Sequence, residues 1–157
     1  MNRFIILFAI VHWVAISASG EIWLTDYETA LQKAKEENRY VLVDFTGSDW
    51  CGWCIRLNRE VFSTEEFQDF AKEQLVCVKI DFPRKKKLSR EVAERNDQLQ
   101  RKFGVRGYPT VFVLGPDGIP LARTGYLKGG GQGYVNHLKS FIKNASMQTT
   151  QGTSRSD

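Results

Sequence analysis

Histidine and cysteine are scarce in this chain, at two and three among 157 residues. A zinc centre needs about four ligands, and past the first twenty residues only Cys51, Cys54, Cys77 and His137 are on offer, scattered along the sequence. A Cys–His hydrolytic site fails for the same reason, because His137 has no nucleophile to activate. No nucleotide or flavin fingerprint is present, so no cofactor is expected. An excess of one charge is lacking too: 22 basic against 18 acidic residues leave a net charge of +4. That balance does not suit nucleic acid, which calls for a concentrated basic face with stacking aromatics. No internal repeat and no long exposed apolar seam are visible, and a monomer is the expectation.

The chain also has no apolar run of the ~20 residues that a membrane span requires. Its longest, Phe4 to Ile16, follows Arg3 and precedes Ser17-Ala18-Ser19-Gly20. A positive start, a short apolar stretch and small residues at −3 and −1 are the layout of a secretory signal peptide, here residues 1–20 with cleavage before Glu21. An uncleaved anchor is the alternative. The expected location is periplasmic or secreted, after removal of the segment. The remaining 137 residues suit one domain.

What the chain does have is Trp50-Cys51-Gly52-Trp53-Cys54. The motif follows a β-type run, Tyr40 to Phe45, and opens a helix-like segment at Ile55-Arg56-Leu57. Two thiols at this spacing can close a disulfide within one helical turn. The first thiol faces the helix N-terminus, where unpaired N–H groups favour a thiolate, and the thiolate is the species that attacks disulfides. A structural bridge is the weaker reading, because so small a loop restrains little unfolded-chain entropy. The pattern points to a thiol–disulfide oxidoreductase.

Along the chain, Thr25 or Asp26 caps a helix to about Asn38, with Ala30, Leu31 and Ala34 inward. Val41 to Phe45 reads as a buried strand. Ser63 and Glu66 have capping-box spacing for a helix ending near Gln74. Leu75 to Asp81 is a second apolar strand, and a further helix spans about Ser89 to Phe103. Thr110–Leu114 and Ile119–Arg123 flank Gly115-Pro116-Asp117-Gly118, a hairpin signal. A last helix covers Tyr134 to Lys143, and the polar residues 144–157 read as a disordered tail. Strands joined through helices imply parallel pairing, and the hairpin adds an antiparallel pair.

This order, with WCGWC after the first strand and Tyr108-Pro109-Thr110 before the hairpin, resembles the thioredoxin family over residues 21–143. Within it the chain is most similar to small exported proteins of the DsbH type, through Asp49-Trp50-Cys51, Glu60-Val61-Phe62 and the longer segment before Phe103. The resemblance implies an α/β fold, a central mixed sheet flanked by helices. It makes Cys51 the attacking and Cys54 the resolving thiol, Pro109 a cis-proline at the substrate groove, and Asp44 a buried acid beneath the motif that takes the Cys54 proton. Trp50, Trp53 and Tyr108 would border the substrate. On the residues alone, Pro109 also fits a trans proline entering a strand, and Asp44 a strand-end aspartate bonded to the turn.

Two places depart from ordinary thioredoxin. Thr46 stands for a tryptophan, and Trp53 stands for the motif's proline, where an aromatic is able to stack over the thiols. The turn between Asp44 and the motif is one residue longer. Cys77 reads as a small buried hydrophobe. Arg84-Lys85-Lys86-Lys87 reads first as a solvated loop, and second as a docking patch for an acidic partner such as a membrane reductant's exported domain. The expected substrates are disulfide-bearing proteins, with reduction the expected direction and an external redox partner as electron source. Oxidase or isomerase activity, or a non-enzymatic peptide-binding module, are the alternatives.

Overall fold

The computed structural model describes residues 22–153, with side chains to Met147. The signal-type segment 1–20 and residues 154–157 lie outside the described residues. The elements run β1 (Trp23–Leu24), α1 (Tyr27–Glu37), β2 (Tyr40–Thr46), α2 (Gly52–Leu57), a π-helical turn (Asn58–Phe62), α3 (Glu65–Gln74), β3 (Leu75–Asp81), α4 (Arg90–Lys102), β4 (Thr110–Leu114), β5 (Pro120–Thr124) and α5 (Gly130–Thr153). Among the described residues, no helix is long and apolar enough to cross a membrane.

The sheet order is β1-β3-β2-β4-β5. β2 pairs parallel with β3 and antiparallel with β4, so it is covered on both edges and reads as an almost unbroken apolar run. Successive side chains point to opposite faces. Val41, Val43 and Phe45 therefore face a core with Tyr27, Ala30 and Leu99. Leu42 faces the other core with Leu57, Phe62, Phe67 and Tyr134. Asp44 lies on the Leu42 side, beneath the helix that carries the cysteines.

Local chemistry sets the helix ends. Asp26 accepts a 2.8 Å bond from the Thr29 N–H at the start of α1, and Asn38 ends it in the left-handed region at φ 50°. Ser89 caps α4 through the Val92 N–H. The Arg39 guanidinium, at the entry to β2, donates to the carbonyls of Ala71 and Leu75 and ties that strand to the α3–β3 junction.

Four sequence expectations shift. The α3 cap is Thr64 and not Ser63, because the Ser63 N–H closes the π turn onto the Asn58 carbonyl at 2.8 Å, leaving Thr64 extended to accept from Phe67. β5 begins at Pro120, since Ile119 is held in the turn by Asp117 Oδ1 and by the Gly115 N–H. α5 starts at Gly130, four residues ahead of Tyr134. A side chain at Gly131 would lie 1.9 Å from Thr64 Oγ1, so the glycine run is a close helix contact with the α3 cap. The same helix continues to Thr153 through residues that read as a tail, because nothing in that polar stretch interrupts the backbone ladder begun in the packed part. The short strand β1 was not foreseen; two residues carry no alternation to read.

Candidate active site

The turn Gly47 to Trp50 delivers the motif. The N–H groups of Trp50 and Cys51 bond to the Gly47 carbonyl at 3.2 and 2.8 Å. Cys51 then takes an extended conformation as N-cap of α2, and its Sγ accepts the Cys54 N–H at 3.2 Å. The two cysteines are joined in a disulfide. Exposure separates them less than their sequence positions suggest, at 7% for Cys51 and 4% for Cys54. Their roles differ by place: Cys51 sits where N–H groups of the helix start converge, whereas Cys54 faces inward. A side chain at Gly52 would meet nothing within 4 Å, so the surface over the motif is open.

Beneath the disulfide is a cavity of about 120 Å³ lined by Asp44, Thr46, Ser48, Cys54, Ile55, Asn58 and Lys79. The longer turn therefore does not separate Asp44 from Cys54; both face one small space with room for water. Asp44 is 3% exposed, and its Oδ1 has no hydrogen-bond partner among the protein's groups. Burial pushes its carboxyl up to about 7; the Lys79 ammonium opposes the shift and Asp81 adds to it. Lys79 lies opposite Asp44 in the β2–β3 register. Sequence reading missed Lys79, although it is the first charge to follow an apolar run in β3. Ser48, which donates to Asp81 through its N–H at 2.9 Å and its hydroxyl at 2.6 Å, was missed as well.

The predicted rim residues fall on two sides. On one, the Trp50 indole N–H donates to the Phe82 carbonyl at 2.7 Å, its ring meets Tyr108 edge-on at 6.0 Å, and Tyr108 stacks on Phe82 at 5.2 Å. The Tyr108–Pro109 peptide bond is cis, and Pro109 is half-buried with the end of β5 at Gly125 close to its carbonyl. On the other side, Trp53 is 54% exposed and leans to Tyr126 (5.1 Å), with the Arg56 guanidinium over both rings. Its aromatic partner is thus Tyr126, with the rings tilted at 43°. The Tyr126 hydroxyl donates to Glu60 at 2.6 Å, and Arg56 pairs with the other oxygen at 2.8 Å. Those bonds, Tyr126 first, hold the Glu60 carboxyl down at about 2.

Asp49 was quoted in the sequence only as part of a motif. Its carboxylate accepts the backbone N–H groups of Arg84, Lys85 and Lys86 at 2.9, 2.8 and 3.2 Å, and these bonds hold its pKa below the usual range. The basic loop is therefore fastened to the motif. Cys77 is free and buried in the Leu42-side core, where burial pushes its thiol up to about 12. His137 pairs with Thr124 Oγ1 at 3.1 Å and packs on Phe141, away from the cysteines.

A family model for thioredoxin-like proteins matches residues 22–116. The chain belongs to the thioredoxin-like family. It is 36% identical over 128 residues to the disulfide bond reductase DsbH of Chlamydia pneumoniae, covering 82% of this chain and 76% of that protein. It is 32% identical over 104 residues to the thioredoxin-related protein DsbJ of the same organism, covering 66% of this chain but 30% of DsbJ. The solved structure of a DsbH oxidoreductase superposes with a TM-score of 0.73 at 36% identity, covering 77% of this chain and 83% of that one. Thioredoxin-like membership and a helix-start Cys51–Cys54 disulfide make the chain a thiol–disulfide oxidoreductase.

Proposed function

We propose that this protein is exported to the periplasm and works there, as a monomer, as a reductase of protein disulfides. The observation that carries the reading is the Cys51–Cys54 disulfide above a cavity that Cys54 shares with Asp44. Support for the reductive direction comes from the similarity to a protein named disulfide bond reductase. The signal-type N-terminus supports export.

In the reduced enzyme the Cys51 thiolate attacks one sulfur of a substrate disulfide. The substrate's other sulfur leaves as a thiolate and takes a proton from water. Cys54 then gives its proton to the Asp44 carboxylate and attacks Cys51 Sγ. The mixed disulfide breaks, the substrate's second sulfur leaves as a thiolate and takes a proton from water, the substrate departs as a dithiol, and the enzyme holds the Cys51–Cys54 disulfide. Two electrons have passed to the substrate. They are replaced by an external dithiol, for which an exported domain of a membrane reductant is suited. The substrate lies across the open surface at Gly52, with Tyr108 and Pro109 on one side and Trp53 on the other, and Trp50 as a fixed wall.

The deciding measurement is the equilibrium reduction potential of the Cys51–Cys54 pair against glutathione or dithiothreitol. A value near the about −270 mV of thioredoxin supports a reductase; one near the about −120 mV of the oxidase DsbA makes the protein a disulfide donor. Cys51→Ser is expected to abolish insulin reduction. If it keeps full physiological function, the motif is incidental and the protein is a peptide-binding module.

A further inference from the structure

We propose that the loop Arg84–Lys87 is a docking element for acidic residues that flank the disulfide of a protein substrate. The inference rests on the reductase reading and specifies which substrates that site prefers.

Position comes first. The loop is held against the motif by Asp49, which binds the N–H groups of Arg84, Lys85 and Lys86, and by the Trp50 indole on the Phe82 carbonyl. The Arg84 guanidinium lies 3.7 Å from the centre of the Trp50 ring. Asp49 and Trp50 immediately precede Cys51, so the loop's distance from the reacting sulfur is fixed by one turn of chain. Tyr108 stacks on Phe82 where the loop begins. A polypeptide lying along Tyr108 and Pro109 therefore runs onto the loop.

Charge comes second. Arg84, Lys85, Lys86 and Lys87 are all exposed. Arg90–Glu94 is an ion pair on the following helix, but among the described residues none of the four loop cations has a carboxylate within 4.0 Å. Asp49 accepts the backbone N–H groups of Arg84, Lys85 and Lys86, and its charge also acts on Lys85. Four like charges are thus gathered on a pinned backbone against the single charge of Asp49, an excess of one sign that an acidic segment would balance. Because the loop is already fastened, little ordering remains to oppose that contact. Between the loop and α4 a hollow of about 370 Å³ has Phe82 and Leu88 among its walls beside Lys86 and Lys87, with Asp97 on the α4 side, so an acidic segment seats on the loop side of it.

The test uses two synthetic disulfide peptides that differ only in flanking Asp/Glu against Asn/Gln, with dithiothreitol as the reductant of the enzyme. For the wild-type protein, kcat/KM is expected to favour the acidic peptide about tenfold at low salt. The ratio should approach one as salt rises and the Debye length falls to about 3 Å at 1 M. In the Lys85→Gln, Lys86→Gln, Lys87→Gln variant, whose backbone still bonds to Asp49, the ratio should collapse toward one, and lysine-to-arginine replacements should restore it. Melting temperature checks that the variants fold. A wild-type ratio near one, or a preference that survives the triple substitution, overturns the proposal. A lysine dependence seen only with a protein dithiol donor in place of dithiothreitol assigns the loop to the donor and also overturns it. If neither peptide is reduced faster than by dithiothreitol alone, the reductase reading itself fails, which is a separate result.

Discussion

Asp44 is the residue whose environment most alters its chemistry. Its folded pKa of about 7 lies above the unfolded value of 3.8, so the folded protein binds the proton more tightly. The stability this gives is complete below pH 3.8 and is lost as pH rises through 7. About three pH units at 1.36 kcal/mol each make that swing roughly 4 kcal/mol. Asp44→Asn is therefore expected to melt above the wild type at pH 8, with the gap closing toward pH 4, when both are scanned in the oxidised form. The same substitution should slow release of the mixed disulfide, and the wild type's rising rate through about pH 7 should disappear; equal profiles would remove Asp44 from the proton path. Gly47 supplies a second residue-level prediction. A methyl group there would lie 2.5 Å from the Trp50 ring, so Gly47→Ala should displace the indole from the Phe82 carbonyl and cost about 1–3 kcal/mol. Tryptophan fluorescence and denaturant titration read both effects. Cys51 and Cys54 were legible in the sequence from their spacing at a strand-to-helix junction, and Asp44 through the family resemblance. Lys79 and Asp49 were not, because their partners are set by strand register and by a loop fold about 35 residues away.

Among the elements, those with a strong period were readable: α1, β2, β3 and α4 match the pattern of apolar positions, and Asp26 is one of the two caps read for α1. Those set by contacts elsewhere were not. The π-helical turn moves the α3 cap from Ser63 to Thr64, and the glycines before Tyr134 form a helix start because Thr64 leaves room for no side chain there. The segment between β3 and α4 is the clearest case. Its basic composition reads as a solvated loop, and its side chains are exposed, yet its backbone is fastened by one carboxylate. Asp49→Asn is expected to speed amide hydrogen exchange at Arg84, Lys85 and Lys86 while exchange in β2 and β3 is unaltered; uniform protection in the variant would show that the fastening lies elsewhere.

Seen as a whole, the molecule keeps its three cysteines in two unlike settings. The disulfide pair lies at the edge of a polar cavity, and Cys77 lies inside an apolar core. The oxidised native protein should therefore show no thiol to a bulky maleimide, and one thiol after denaturation. Labelling of Cys77 in the native state would mean that β3 opens readily. The mixed sheet was foreseeable from the alternation of strands with helices and the late hairpin, whereas the outer strand β1 owes its existence to pairing with Cys77 and Val78.

β2 has its other edge closed by β4, with Asp44 opposite Val111. Sixty-odd residues separate the two, and in chain order the hairpin is the last part of the sheet to be made. Yet none of the residues that line the cavity beneath the disulfide comes from that hairpin; it closes β2 through backbone pairing alone. The cavity's walls come from β2, the turn that follows, α2, the π-helical turn and β3. The consecutive stretch 44–79 therefore carries the whole acid–base pocket, and the late hairpin brings the substrate-side Tyr108 and Pro109 up to a centre that is already walled.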